Sequence, residues 1–510
     1  MQTKGTTVRF VARLAIAIAT LISSALLCFG QTPMAAYAGE GRTSARNVSE
    51  PSLTPPDSVT GTWVSDDGPV DDATVPPQPP EQLGIDPFAI DESMAAGGCD
   101  CDQCMAGGSC DPGCGAGGCG WFDPLWCSDM WNEVHAHRRI YASVDYLSMW
   151  TKGNWVPPLV TTSPDGTPQS QAGRLPVSAT TEVLFGNGRV DTEQRNGGRV
   201  NIGYWLIDGE FLGVEGQYFA LQQGNTNFDK VSSYSSGDPS AMIIARPFIN
   251  YSPILPSPEN DAAIVAFPSG YVLGQGVGTL DGSVNIRTTS NLQSAGALLR
   301  RLVWIDFTMQ RRLDLLLGYR FMRIDDSVTI RDQSTFIPTS GPIPQTTFIS
   351  EDIFSASNIF NGGEIGLKYQ SQHGRLGFEF IGKCAFGNNR EKTYINGTST
   401  ITASGTTTDY AGGLLTQPTN IGTYQRNVFA ILPEADVNLR WDVTCNLRAT
   451  VGYTFIYINR VQRSGDAIDL RLNPTQVQGG TLSGNPYPAF ASTDTTWWAH
   501  GVTAGIEYRW

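Results

Sequence analysis

The chain has 510 residues, of which 16% are charged, and it carries 56 glycines and a formal net charge of −14 at pH 7. A typical soluble protein has roughly a quarter charged residues, so this composition favours a glycine-rich sheet with many turns. A chain this acidic has no surplus of cations to neutralise phosphates, so we expect no nucleic-acid partner.

Residues 1–38 have the three parts of a secretory signal peptide. Lys4, Arg9 and Arg13 supply the positive start, an apolar run follows, and small residues precede a predicted cleavage after Ala38. No later apolar run approaches the roughly 20 residues that a spanning helix needs. We therefore predict an exported protein that spans a bilayer, if it does so, as a closed β-barrel.

Residues 39–95 are rich in proline, serine, threonine and acid, which predicts a disordered linker. Residues 96–130 then hold seven of the ten cysteines among many glycines. The pairs Cys101/Cys104 and Cys110/Cys114 have spacings that could hold zinc or an iron–sulfur cluster. In an oxidising compartment we favour disulfides and no metal, with the odd thiol free or bridging to another chain. The candidate disulfide cysteines are Cys99, Cys101, Cys104, Cys110, Cys114, Cys119 and Cys127.

Residues 138–510 repeat one unit, an alternating apolar and polar segment followed by a link. The clearest hairpin covers 429–457. Its odd positions include Phe429, Ile431, Ala435, Val437, Leu439 and Trp441, and its even positions include Glu434, Asp436, Asn438 and Arg440. Ten such segments are visible, with a further hairpin at 241–249 and 262–273. Short links alternate with long ones, the short at 208–210, 305–311, 371–374 and 442–445, the long at 151–197, 222–282, 333–350, 396–420 and 461–494.

This asymmetry is typical of an outer-membrane barrel with short periplasmic turns and long external loops. The last strand, TTWWAHGVTAGIEYRW at 495–510, supports it, because its apolar face ends in the aromatic Trp510. The predicted fold is all-β, a transmembrane antiparallel up-and-down β-barrel of about 10–14 strands. Its disordered, Cys-rich N-terminal extension is expected in the periplasm.

Several stretches resemble one known family, the putative beta-barrel porins of planctomycete bacteria, family seven. They are VDYLSMWTKG (144–153), TEVLFGNGRVD (181–191), RVNIGYWL (199–206), LDLLLGYRFMRIDDSVTI (313–330) and the closing aromatic strand. The resemblance covers about 138–510 and implies an outer-membrane barrel. The family name adds transport as an expectation.

The polar faces of the predicted strands provide candidate lumen-lining residues. These are Glu215, Asp314, Arg320, Glu364, Lys368, Glu379, Lys383, Glu434, Asp436, Arg440 and Arg448. A lumen of mixed charge suits a passive channel for small solutes. The same residues would plug a narrow barrel if they paired with one another.

Two functions follow from these patterns. The first is a porin-like passive channel. The second is a structural or envelope-anchoring surface barrel without transport, cross-linked through its Cys-rich extension. An outer-membrane lipase or protease is a distant third. We expect no enzyme and no cofactor, because none of the four histidines lies in a catalytic motif. The expected partners are outer-membrane lipid, small solutes if the barrel is a pore, and further copies of the chain.

Overall fold

The computed structural model describes residues 139–176, 181–207 and 210–510. Ten of the strands in these ranges form one closed antiparallel ring, in which each strand pairs with its neighbour along the chain. They are β1 (Ile140–Thr151), β2 (Arg195–Trp205), β3 (Leu212–Ser232), β4 (Gly276–Asp306), β5 (Arg311–Ser340), β6 (Thr346–His373), β7 (Leu376–Ala403), β8 (Gly422–Asp442), β9 (Leu447–Val461) and β10 (Thr495–Arg509).

The last strand closes the ring against the first. Tyr141 pairs with Arg509 and Thr151 with Ala499, in a continuous antiparallel register. Closure gives each strand of the ring a partner on both sides, which is what a sheet in lipid requires. The all-β barrel prediction is confirmed, and the ring has ten strands. The predicted signal peptide, linker and Cys-rich segment lie outside the described residues.

The end of the barrel with the short turns agrees with the sequence prediction. β4 and β5 are joined by residues 307–310, β6 and β7 by 374–375, and β8 and β9 by 443–446. The link between β2 and β3 was predicted at 208–210, and residues 208 and 209 lie outside the described ranges. We call this end of the barrel the short-turn end.

At the opposite end two predicted loops are wrong. Residues 333–350 are almost entirely strand, because β5 runs to Ser340 and β6 begins at Thr346. Residues 396–420 likewise begin with the last part of β7, and strand Thr406–Ala411 then folds back on it. Apolar and polar residues still alternate in these segments, but the apolar residues now face inward. The polar residues on the outer face therefore resemble those of a loop in the sequence.

The phase change is clearest on β5. From Leu313 to Phe321 the odd-numbered side chains are apolar and point out of the ring. Beyond Phe321 the outward side chains become polar, and Met322 and Ile324 are buried inside the ring. The apolar face of one continuous strand therefore changes from the outer to the inner side of the wall.

The wall is tall on one side, because four adjacent strands are long. β4, β5, β6 and β7 have 31, 30, 28 and 28 residues, whereas β1 and β2 have 12 and 11. A 30-residue strand is about 100 Å long at ~3.3 Å per residue, far longer than a hydrocarbon core of about 30 Å needs. We call the part beyond the phase change the tall wall.

The long links pack against the inner side of the tall wall. The hairpin predicted within the second long link is confirmed, because Ile244–Asn250 pairs with Glu259–Leu273. Strand Val160–Thr162 from the first link and Arg471–Leu472 from the last link also pair with Ile244–Asn250. These links therefore form one folded assembly, the outer core, rather than separate loops.

Candidate functional site: the barrel lumen

The eleven candidate lumen-lining residues all lie on strands of the ring and face its interior. Ten of them are buried, and Glu215 is half-buried. Arg320 and Asp314 have no exposed surface at all. Alternation along each strand brings these side chains to the same side of the wall. These residues line an open channel only if their side chains leave space between them.

Ion pairs cross the middle of the lumen. Arg199 on β2 donates to Asp145 on β1 at 3.1 Å and to Asp436 on β8 at 2.9 Å. Arg320 on β5 pairs with Glu434 on β8, and Lys383 Nζ lies 2.7 Å from the other oxygen of the same carboxylate. The Arg199–Asp436 and Arg320–Glu434 pairs join strands that are not neighbours in the ring, whereas Asp145 and Lys383 lie on strands adjacent to those of their partners.

A second set of pairs lies nearer the short-turn end. Glu379 lies 3.2 Å from Lys368 Nζ and 3.1 Å from a nitrogen of Arg440. Arg300 and Arg312 both bind Asp314, and their guanidiniums lie 4.7 and 4.8 Å from the ring centre of Trp205. Arg448 pairs with Asp442 at 2.6 Å. We call both sets together the charge network.

The sequence prediction missed several members of the charge network: Asp145, Arg199, Arg300, Arg312, Glu507 and Arg509. Each lies on the polar face of an alternating strand, so the same pattern would have found them. Two cavities within the network have volumes of about 30 and 60 Å³. A single water needs roughly 10–15 Å³, so each of these spaces has room for a few waters.

An apolar layer fills the lumen beyond the charge network. Leu147, Phe219, Met322, Phe360, Leu432 and Trp497 are among its buried side chains, and they come from six different strands. A ring of ten strands is narrow enough for side chains to meet in its centre. The layer is therefore built by the wall itself and requires no inserted loop.

A polar belt follows, and the last long link enters the lumen there. Arg463, just past the end of β9, pairs with Asp326 on β5. Asn358 and the backbone of Gln462 exchange two hydrogen bonds of 2.8 Å. All of these side chains are buried. The link is thereby fastened inside the barrel by contacts that satisfy its backbone groups.

The outer core closes the far end. Its buried apolar side chains come from the tall wall, including Ile330 and Phe354, and from the links, including Leu159, Ile244 and Leu472. Arg246 is buried between Asp332 and Asp352, with nitrogens 2.6 Å from each carboxylate. Burial raises the pKa of the Asp332 carboxyl, although the adjacent Arg246 acts in the opposite direction.

The described residues bring together no group of three or more His, Cys, Asp or Glu side chains that could hold a metal ion. No helix within the same ranges is long and apolar enough to cross a membrane.

The outer surface of the ring carries a band of exposed apolar side chains between the short turns and the phase change. On β7 it runs from Leu376 to Phe386, which matches the roughly 9–11 residues of a spanning strand. Aromatic side chains such as Trp441, Tyr508 and Trp510 lie near the short-turn end, and Trp150 and Tyr453 lie nearer the other. We call this band the lipid band. The closed ring and its lipid band define an outer-membrane β-barrel.

The chain belongs to the family described as Putative beta barrel porin-7, whose model matches residues 141–510. None of the curated proteins matches it. Solved structures similar to it include the outer membrane protease OmpT from Escherichia coli, at 11% identity and a TM-score of 0.31, covering 73% of this chain and 97% of that one. An anion-selective porin from Comamonas acidovorans has 8% identity and a TM-score of 0.11, with 73% and 98% covered.

The expectation that this protein is not an enzyme is corrected by these comparisons, because one of the similar structures is an outer membrane protease. With 11% identity and a TM-score of 0.31, that likeness assigns no activity to this chain.

Proposed function

We propose that this protein is a closed outer-membrane barrel that holds a folded assembly at one surface of the membrane, in a structural or envelope-anchoring role. This is the second of the two functions that the sequence suggested. One observation carries the proposal: the lumen is filled along its length, by the charge network, the apolar layer, the polar belt and the outer core in turn.

The filling disfavours a passive channel for a physical reason. A solute would have to separate ion pairs such as Arg199–Asp436, and breaking a buried pair leaves an uncompensated charge at a cost of several kcal/mol. It would then have to enter an apolar layer made by wall side chains from opposite strands. Neither obstacle is removed by displacing a single loop.

In this proposal the short turns face the periplasm and the outer core faces the cell exterior, as is usual for such barrels. The Cys-rich segment at 96–130 would then lie in the periplasm just before β1. Disulfides from that segment to other chains would fix the barrel within the envelope. The odd number of seven cysteines in the segment supports a link of this kind.

Conductance across a planar lipid bilayer tests the proposal directly. We expect the full-length protein to insert without producing discrete channels, while an open porin reconstituted in parallel conducts. Liposome swelling in small sugars should likewise stay at the protein-free rate. Reproducible single-channel steps from the full-length protein would contradict the closed barrel and restore the passive channel.

A further inference from the structure

A cluster of cations lies on the outer surface of the tall wall, directly beyond the lipid band. On β5, Arg323 is the first outward side chain after Phe321. On β7, Arg390 and Lys392 follow the last outward aromatic of the band, Phe386. We call Arg323, Arg390 and Lys392 the basic rim.

The register places these three side chains on one small area of the wall. Arg323 and Arg390 are both Cα partners of Ile359 on β6, so they are two strand spacings apart, roughly 10 Å. Arg390 and Lys392 are two residues apart on one face, roughly 7 Å. Long, flexible side chains at these distances can converge on a single group.

The basic rim has few neutralising partners. Arg323 pairs with Asp325 at 2.7 Å, and Asp325 also accepts from the hydroxyl of Ser357 at 2.6 Å. Arg390 donates to the neutral amide of Gln425 at 2.8 Å. Among the described residues, no carboxylate lies within 4 Å of the charged nitrogens of Arg390 or Lys392.

Other nearby side chains do not change this balance. Glu391, between the two cations in sequence, is buried on the opposite side of the strand and pairs with Arg426. Asn388 and Asn427 on the outer surface are neutral and bind each other at 3.2 Å. Three cations therefore share one carboxylate, and the two on β7 are exposed.

We propose that the basic rim binds the phosphate of lipid head groups in the leaflet next to the tall wall. Arg323 lies roughly 7 Å beyond Phe321 along β5. Arg390 and Lys392 lie roughly 7 and 13 Å along β7 beyond Asn388, which is opposite Phe429, the exposed aromatic at this end of the band on β8. The head-group region extends about 5–8 Å beyond the hydrocarbon core, and tilted strands and bending side chains bring the cations to that level. Arginine matches phosphate oxygens with two parallel hydrogen bonds, and cation clusters beside a membrane span recognise anionic lipids.

Two further outward cations on the same wall provide a matched control. Arg287 on β4 and Arg331 on β5 lie opposite Thr329 and Asn285 respectively in the register between those strands. Arg287 and Arg331 are respectively four and five outward-facing positions beyond the band, roughly 27 and 34 Å along their strands. They share the surface and charge of the basic rim but lie beyond the reach of head groups.

The test uses the full-length protein in a non-ionic detergent with two short-chain lipids, dihexanoyl phosphatidic acid and dihexanoyl phosphatidylcholine. We compare the natural sequence, the variant R390Q/K392Q and the control R287Q/R331Q. Binding is measured by phosphorus NMR, and the heat-dependent gel migration of each barrel verifies folding. Loss of two cations at a membrane surface weakens anionic lipid binding by roughly thirty-fold.

We expect the natural sequence and R287Q/R331Q to bind phosphatidic acid within threefold of each other and more tightly than phosphatidylcholine, and R390Q/K392Q to lose that preference. Equal binding of phosphatidic acid by all three proteins would overturn the proposal. Inorganic phosphate binding as tightly as phosphatidic acid would assign the rim to a free anion instead. Binding of a glutamate-rich peptide without binding of phosphatidic acid would replace the lipid by an acidic protein partner.

Discussion

The guanidinium of Arg199 on β2 lies 2.9 Å from the carboxylate of Asp436 on β8, across the barrel rather than along its wall. Three strands, β1, β10 and β9, separate β2 from β8 around the ring. A direct pair between them means that the lumen is no wider here than two side chains. Thr454 also donates to Asp436 at 2.5 Å, on the same carboxylate oxygen, Oδ1, that Arg199 binds.

The first prediction follows from this pair. Asp436→Ala should destabilise the barrel by about 3–5 kcal/mol, because it leaves the buried Arg199 with one carboxylate instead of two. Asp325→Ala removes the half-exposed pair with Arg323 and should cost about 0–1 kcal/mol. Urea unfolding in detergent micelles, followed by tryptophan fluorescence, measures both. Similar losses for the two variants would mean that the charge network is as hydrated as the outer surface.

The second prediction concerns the lipid band. Val451 and Val231 both face outward, with 57% and 70% of their surface exposed, but Val451 lies within the band and Val231 lies on the water-exposed part of β3. Arginine at mid-bilayer depth on a barrel costs roughly 2–4 kcal/mol. Val451→Arg should therefore lower the yield of assembled barrel in membranes, whereas Val231→Arg should assemble normally. Equal yields of heat-modifiable protein would mean that the band is wrongly placed.

The third prediction tests how closely the lumen is packed. A Cβ on Gly505 would lie 1.9 Å from Oδ1 of Asp145, so alanine there would push Asp145 away from Arg199. A Cβ on Gly382, on the lipid side of β7, would meet Phe380 at an ordinary 3.4 Å. Gly505→Ala should lower the free energy of unfolding by about 1–3 kcal/mol, as overpacking does, and Gly382→Ala should leave it nearly unchanged. An unchanged free energy of unfolding for Gly505→Ala would indicate that the side chains in the lumen can move apart.

The sequence predicted the lipid-spanning half of the barrel well because that half obeys a rule of period two. From Glu434 to Trp441 every position faces outward or inward according to its parity, and apolar residues face outward and polar residues inward. The same rule found the polar faces that carry Glu379, Glu434 and Asp436. It also predicted ten strands and the short turns, since turns fall where the alternation stops.

The same analysis did not predict the tall wall, because there the apolar side chains of each strand point into the barrel instead of out of it. Beyond Phe321 the polar residues Arg323, Asp325 and Ser327 face water, as loop residues would, while Met322 and Ile324 become the buried ones. A search for a phase change in the alternation would have found the end of the lipid band. Beyond its one hairpin, the outer core could not have been predicted, because contacts such as Arg246 with Asp352 join residues 106 apart in sequence.

The outer core depends on the carboxylate of Asp352, which the alternating pattern does not mark as different from the other inward polar residues. Asp352 is fully buried and accepts from the backbone nitrogens of Leu415 and Thr416, at 3.0 and 2.9 Å, and from the Thr416 hydroxyl at 2.6 Å. It also pairs with Arg246. Asp332 binds the same arginine at 2.6 Å and keeps 14% of its side chain exposed, and among the described residues its carboxylate accepts no hydrogen bond from a backbone nitrogen or hydroxyl.

The last prediction compares these two carboxylates with one substitution each. Asp352→Ala leaves two buried backbone nitrogens and a hydroxyl without an acceptor, at about 1–3 kcal/mol each, and should release the link 404–421 from the tall wall. Asp332→Ala leaves Arg246 paired with Asp352 and should cost less. Brief chymotrypsin digestion of membranes, which cleaves after aromatic residues and leucine, should cut the Asp352→Ala protein within 404–421, at Tyr410 or Leu415, much faster than the Asp332→Ala protein. The heat-modifiable migration of the ring should survive in both variants, because the lipid-spanning half does not depend on the outer core. Equal rates of chymotrypsin cleavage would show that the two carboxylates hold the core equally.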